Sequence, residues 1–562
     1  MRKKIRKIGD TAYHYGVQLV AVGALTGLFA GIAVTLYNVL ASIGEDFSRD
    51  IYALLRENPA FVPLLFVALF LGAIVIGGVV KFIPMIRGSG IPQTEGATRG
   101  LLHFRWYQVL TGMFAASLAT IFLGLSAGSE GPSIQIGGAC GYGTADLLRR
   151  KETVRRYQIT GGACTGLAVA FNAPVTGMAF AFEEAHKRFT PEVFVCAFSS
   201  VIVGVLTRNL LRPLMGFSVE STFTTFSFAA PDMFSYLYIL LAALVCAFAG
   251  VGFYFLVFRT KKLFAKITFW KGTGKMLIPF MLAGVFGLIT VYAMGGGHEL
   301  IQALGSKSEG IEVIFSSPLW LTLFIVVVFK FIVSVVNMSA GVPCGVFIPM
   351  LAIGACLGAL LSLLCIQMGM DPVYADVMIM ICMATFFTTI VKAPVTGIVM
   401  VVELTWSFTF LLPVVMGVAI GYLIGDVFHT QPIYDKLLEG IVEEQNVREG
   451  AKKETVRLRV VKGSTGEGRA IRDILWPSDA LVVALTRGGT PIVPDGETVL
   501  EAGDELVIVG ETSDYKSFAE DLAVTVGEIL KEGEGAPAPS HATPSASADE
   551  SPEGQEDGGK KE

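Results

Sequence analysis

The sequence predicts an all-α polytopic membrane protein, a repeated bundle of interrupted helices, with a small α/β domain appended at its C-terminal end. Three observations carry that expectation. The 562 residues are 53% hydrophobic and only 16% charged, with a mean hydropathy of +0.62, whereas a water-soluble chain of this length needs far more charged surface. A glycine- and proline-interrupted hydrophobic segment occurs twice. After Tyr434 the composition changes abruptly from apolar to charged.

The chain starts with Met1-Arg2-Lys3-Lys4-Ile5-Arg6-Lys7. This basic stretch leads through Gly9-Asp10 into a long apolar helix without a small-residue cleavage site behind it, a pattern that argues against a removed signal peptide. The positive-inside rule puts residues 1–16 in the cytoplasm. Apolar stretches then recur at 17–41, 61–83, 108–127, 191–211, 233–258, 276–294, 317–338, 346–366 and 410–428, several of them near the ~20 residues that a bilayer span requires. All eight cysteines (Cys140, Cys164, Cys196, Cys246, Cys344, Cys356, Cys365, Cys382) fall in this apolar part with no CxxC spacing, so they read as small buried residues rather than disulfides or metal ligands. The net charge of -5 reflects the acidic C-terminal region.

The repeat is read from identical residues. Ala173-Pro174-Val175-Thr176-Gly177 recurs unchanged as Ala393-Pro394-Val395-Thr396-Gly397, and each copy opens a helical run that ends in carboxylates, Glu183-Glu184 in one and Glu403 in the other. Ahead of these, Ser126-Ala127-Gly128, Gly131 and Gly138-Ala139-Cys140 correspond to Ser339-Ala340-Gly341, Gly345 and Gly354-Ala355-Cys356. Small residues shared by any tightly packed membrane helices explain part of this. An identical pentapeptide plus a second pair in the same order points to duplication, and interrupted segments at matching positions point to a transport site at the repeat interface.

Four short motifs supply the chemistry for a small anion: Gly88-Ser89-Gly90-Ile91-Pro92, Gly128-Ser129-Glu130-Gly131-Pro132, Gly345-Val346-Phe347-Ile348-Pro349, and Tyr434 in Gln431-Pro432-Ile433-Tyr434. The first three break the chain where a helix can begin, so free N–H groups and positive helix ends can face one spot. Moving a bare anion into hydrocarbon costs on the order of tens of kcal/mol. Partial charges of roughly +0.5 at helix ends can offset that without binding too tightly for release. Ser89 and Tyr434 add hydroxyl donors. Glu130 is the one carboxylate in the set and competes with an anion for the same donors, which suggests a gate; an ionisable residue in such an apolar setting is a functional candidate by default.

In this order, over about residues 17–440, the four motifs resemble the CLC family of chloride channels and chloride/proton exchangers. The resemblance implies an inverted repeat with tilted and re-entrant helices, and a homodimer in a prokaryotic cell membrane with a separate pore in each subunit. It further implies that Ser89, Gly90, Tyr434 and the N–H groups of Val346 and Phe347 line the inner and central chloride positions, with N–H groups around Ser129, Glu130 and Gly131 at the outer one. Glu184 aligns with the inner proton-transfer glutamate of the exchangers, where channels commonly carry an apolar residue. Its charged neighbours Glu183, His186, Lys187 and Arg188 alternatively suit an ordinary solvated helix end. Ser129 stands where the family often has Arg or Lys, so a cation beside the outer position is missing. Retention of Ser89 and Tyr434 favours chloride over fluoride. The implied activity is chloride/proton exchange gated by Glu130; the rivals are a passive chloride channel on the same fold and a membrane-anchored sensor with vestigial transport. Chloride and protons are the substrates, and no cofactor, metal, enzyme activity or nucleic acid is expected.

Other features read more plainly. His298-Glu299 begins like a zincin motif, but Gln302 occupies the second histidine's position. Lys330 and Lys392 are intramembrane cations expected to pair within the bundle. Beyond a linker at 441–453, residues 454–530 alternate like strands from Val456 to Val460, Ala480 to Thr486 and Glu505 to Val509, with a hairpin turn at Arg487-Gly488-Gly489-Thr490 and a capped helix from Ser513 to Leu522. This region resembles the TrkA-C (RCK C-terminal) domain, which implies a cytoplasmic ligand sensor, its small-molecule ligand unnamed. Residues 531–562, rich in Ala, Pro, Ser, Glu and Gly, are expected to be disordered.

Overall fold

Small residues decide how closely the helices approach. In the computed structural model a Cβ placed on Gly137 or on Gly162 would strike the carbonyl oxygen of the other, so the helices Glu130–Leu147 and Glu152–Phe171 pack backbone against backbone. Phe347–Gln367 and Ala375–Val391 repeat this pairing, with Gly354 and Gly358 against Met383 and Ile379. Close approach through small residues is how helices gain packing energy where lipid removes the hydrophobic drive between them. The structure describes residues 2–530 apart from 188–189, 219–222, 224, 309, 315–316, 450–451, 475, 477–479 and 513–514. It divides into two compact units, Met1–Gly450 and Ala451–Glu562.

Among the described residues of the first unit, seven helices are long and apolar enough to cross a membrane: Gly16–Glu57, Pro59–Phe82, Pro191–Leu214, Ser235–Ala265, Leu319–Ala340, Phe347–Gln367 and Pro372–Val391. The last two are mostly buried inside the protein and form its centre, whereas Pro59–Phe82 presents Leu64, Leu71, Val75 and Phe82 outward, as a lipid-facing helix does. Trp106–Phe122, Thr273–Ile289, Pro394–Thr405 and Leu411–Val427 are apolar but shorter, the interrupted segments that the sequence predicts.

The duplicated pentapeptides form matching elements. Asn172, with φ 55°, ends one helix in the left-handed conformation and Lys392, with φ 65°, ends its counterpart; Pro174–Phe180 and Pro394–Thr405 follow. Each new helix start is capped by the other repeat. Glu403 accepts the Val175 N–H at 2.9 Å, the Thr176 N–H at 2.7 Å and the Thr176 hydroxyl at 2.6 Å, and Glu183 accepts the N–H groups of Val395 at 2.8 Å and Thr396 at 2.6 Å. Since the carboxylate at the end of each run binds the start of the other, the two run antiparallel. That is the relation expected of inverted repeats. Past Phe180 the first run widens into a π-turn, Ala181–Ala185, in which the His186 N–H donates to the Ala181 carbonyl at 3.0 Å.

The second unit is an antiparallel sheet of order β3-β2-β4-β1-β5, with β1 at Lys452–Val460, β2 at Leu481–Arg487, β3 at Thr490–Ile492, β4 at Glu505–Thr512 and β5 at Gly527–Ile529. The helix Tyr515–Val526 closes a core of Val456, Leu458, Leu485, Leu506, Ile508 and Leu522. Gly488 and Gly489 both take positive φ and join β2 to β3 in a two-residue hairpin. β4 runs past the expected Val509 because β1 pairs with it as far as Lys452↔Thr512. The proposed cap Ser513 and the tail 531–562 lie outside the described residues.

Candidate anion and proton site

Backbone hydrogen bonds gather the interrupted loops. Gly128 and Gly345 form an antiparallel bridge, the Gly128 N–H donating to the Gly345 carbonyl at 2.8 Å and the Gly345 N–H to the Gly128 carbonyl at 2.7 Å. The Gly88 N–H donates to the Gly341 carbonyl at 3.1 Å, and the Cys344 N–H to the Gly88 carbonyl at 3.3 Å. Gly131 is so close to the first loop that a Cβ there would lie 2.6 Å from the Ser89 carbonyl oxygen and 3.1 Å from the Gly345 Cα. Three helix starts therefore converge: Ile91–Thr98 behind Gly90, whose φ of 79° suits glycine; Glu130–Leu147 behind Ser129; and Phe347–Gln367 behind Val346. None carries a side-chain cap, which leaves their first N–H groups available to an anion.

Tyr434 sits in the first turn of the helix Ile433–Glu449 and is fully buried. Its hydroxyl and that of Ser89 are both buried without a hydrogen-bond partner. Such groups are uncommon and call for a reason; two orphaned hydroxyls beside uncapped helix starts form a donor set suited to an anion. The Phe347 ring packs at centroid distances of 5.5 Å from Phe171 and 4.6 Å from Phe387, which gives the donors an apolar surround.

Glu130 is only 1% exposed. Its Oε1 accepts from the Ser129 hydroxyl at 3.1 Å, and its Oε2 has no partner. Next to it is a residue that the sequence reading set aside: His298 Nε2 is 3.7 Å from Glu130 Oε1. His298 lines a small recess of about 30 Å³ with Glu45, Arg49, Tyr292 and Glu299. Arg49 pairs with Glu299 and Asp46. Beneath the loop before His298, the buried Lys330 donates to the Ser126 hydroxyl at 3.1 Å and to the carbonyls of Met294 at 2.8 Å and Gly295 at 2.7 Å. Lys330 is thus held by carbonyls and a hydroxyl, where the sequence suggested an ion pair; Lys392 does pair, with Asp426 at 3.2 Å.

Glu184 is 1% exposed and not at a solvated helix end, because the π-turn directs it inward while the adjacent Glu183 turns to the other repeat. It interacts with Glu95, which is equally buried. Around them Arg99 pairs with Asp435 at 2.8 Å and approaches Glu95 at 3.6 Å, and Lys187 pairs with Asp435. Tyr434 is within Coulombic reach of Glu95, Glu130 and Glu184. Glu95 and Asp435 were legible only as neighbours of the first and last motifs. His298 had one signal, its position after the triple glycine Gly295-Gly296-Gly297. Among the described residues no group of three or more His, Cys, Asp or Glu is arranged to hold a metal.

An antiparallel pair of repeats around converging helix starts defines an inverted-repeat membrane transport protein. Residues 71–426 match the family described as voltage gated chloride channel, and the chain belongs to that family; residues 455–523 match the TrkA-C domain. The chain is 30% identical over 442 residues to the H(+)/Cl(-) exchange transporter ClcA of Vibrio cholerae, covering 76% of this chain and 90% of that protein. It is 31% identical over 403 residues to the ClcA of Yersinia pestis, covering 70% and 80%. Solved structures share the fold: a slow cyanobacterial Cl-/H+ antiporter (TM-score 0.69, 22% identity, 76% of this chain and 99% of that one) and a CLC-type fluoride/proton antiporter (TM-score 0.59, 19% identity, 74% and 98%).

Proposed function

We propose that this protein exchanges chloride for protons across the cell membrane, with Glu130 as the gate shared by both ions. The observation that carries the reading is the Glu130 carboxylate, buried at an uncapped helix start with one oxygen unpartnered, in the same donor cluster as the orphaned hydroxyls of Ser89 and Tyr434. Ionised, Glu130 takes an anion position; protonated, it leaves and chloride enters. Chloride binds to Ser89, Tyr434 and the N–H groups at Gly90, Val346 and Phe347, and in the outer position to those at Ser129, Glu130 and Gly131. Glu184 passes the proton on the Tyr434 side, and its burial with Glu95 favours a proton carrier over a surface residue. The names of the ClcA relatives support the same exchange.

With the basic N-terminus cytoplasmic, Glu45 and Arg49, near the far end of the helix Gly16–Glu57, lie on the outer side, so the recess at His298 opens outward. Residues 17–440 form the transport domain, one pore in each subunit of a homodimer, and 454–530 a cytoplasmic sensing domain. The scheme uses chloride and protons as substrates and invokes no cofactor. In liposomes with a chloride gradient as the sole driving force, external chloride and pH are followed together: chloride movement should drive protons against their own gradient. Chloride flux with no proton movement would replace exchange by a passive channel.

A further inference from the structure

Glu130 is 1% exposed, so under the exchange reading its proton has no direct route from outer water. The side chain between its carboxyl and the recess is His298. One nitrogen, Nε2, is 3.7 Å from Glu130 Oε1, the residue lines the recess, and its side chain remains 28% exposed. The position is firmly built. The Gly295 N–H donates to the Leu125 carbonyl at 3.1 Å, the Gly296 N–H to Glu45 at 3.0 Å, and Lys330 holds the Met294 and Gly295 carbonyls from below. The imidazole is flanked by the rings of Phe171 at 6.4 Å and Phe223 at 6.0 Å. The titratable and charged groups facing it are Glu130, Glu45, Glu299, Arg49, Lys330 and Tyr292. Of these, Glu45 is engaged by Gly296, Arg49 and Glu299 by each other, and Lys330 by its carbonyls.

We propose that His298 is the outer proton relay for Glu130, carrying protons between the recess and the gate carboxyl. The proposal rests on the exchange reading of this site. In the inward transfer Nε2 of the neutral ring takes a proton from a hydronium ion in the recess, which is left as water; the Nε2–H bond then breaks as that proton passes to Glu130 Oε1, which returns the ring to its neutral form, and the reverse sequence releases a proton. Only N–H and O–H bonds change. The 3.7 Å gap is spanned by a small turn of the ring or by one water. Imidazole suits the task because a ring nitrogen can both accept a proton and give it up.

The test compares wild-type protein, His298→Gln and His298→Asn in liposomes, with chloride and pH recorded across about pH 5–8. Chloride flux is also measured in Glu130→Gln with and without His298→Gln. Coupled exchange should slow by about tenfold or more in both His298 variants and lose the wild-type pH profile. Chloride flux through Glu130→Gln should be unaffected by the second change, because no proton is needed there. Unchanged coupled rates and profile in the His298 variants overturn the relay and leave exchange standing. Slower or absent chloride flux in the double variant also overturns it, by showing that the ring only supports the loop. A wild-type protein without coupled proton movement fails the exchange reading itself.

Discussion

In the proposed scheme Glu130 and a chloride ion compete for the same N–H groups, and one oxygen of Glu130 is buried without a partner. Glutamine keeps the shape but cannot compete as an anion, so Glu130→Gln should abolish proton coupling while chloride flux survives or rises; a variant that still pumps protons in the liposome assay sinks the shared gate. Ser89 and Tyr434 offer the other side of this balance. A hydrogen bond to a charged group contributes roughly 1.5–3 kcal/mol, so Ser89→Ala with Tyr434→Ala should weaken chloride binding by at least about tenfold, as calorimetry would show, and unchanged affinity removes both hydroxyls from the site. Glu184 has a different part in the proposed scheme, that of a proton carrier. Buried beside Glu95 and near the Arg99–Asp435–Lys187 cluster, it can hold a proton where water cannot reach. Glu184→Gln should leave chloride movement measurable and stop chloride-driven proton uptake, with Glu183→Gln disturbing coupling less. Full coupling in Glu184→Gln would refute this proton route.

The helices that carry these residues are oriented by one another. Glu403 accepts two N–H groups and a hydroxyl at the start of Pro174–Phe180, and Glu183 accepts two N–H groups at the start of Pro394–Thr405. Carboxylates are favoured there by the free N–H groups and by the helix dipole. Removing such a cap costs about 0.5–2 kcal/mol, so Glu403→Ala should lower the thermal unfolding temperature in detergent by about one or two degrees, and Glu403→Gln by less. If Glu403→Ala melts with wild type, the reciprocal caps contribute nothing to stability. The identical pentapeptides and the carboxylates that end each run were visible in the sequence. Their exchange of partners was not, because it depends on the antiparallel seating of two segments far apart in the chain. The same holds for the π-turn at Ala181–Ala185: a run of Glu183-Glu184-Ala185-His186-Lys187 reads as a solvated helix end until the extra residue in that turn sends Glu183 and Glu184 to different neighbours. In the second unit, Gly488-Gly489 announced its hairpin because only positive φ closes a two-residue turn of that kind. The bidentate pairing of Arg487 with the buried Asp504, both bonds 2.8 Å, needed β2 and β4 to be brought together first.

Over the whole molecule, the four motifs were readable because glycine and proline mark where helices must start, and the composition marked which part lies in lipid. His298 escaped because it opens the short helix His298–Leu304, whose start reaches Glu130 only after the bundle closes. All the proposed chloride and proton residues lie within Met1–Gly450, and Ala451–Glu562 has its own core of Val456, Leu458, Leu506, Ile508 and Leu522. A unit with its own core can be removed without opening the other's. A chain ending at residue 450 should therefore insert in the membrane, and in liposomes it should still couple chloride movement to proton uptake, with the Glu130→Gln change uncoupling it as in the full chain. What it should lose is any dependence of that rate on a soluble effector, since the TrkA-C domain is the proposed sensing part. If the shortened protein is folded and monodisperse yet moves no chloride, the second unit belongs to the transport machinery itself and its role as a separable sensor is refuted.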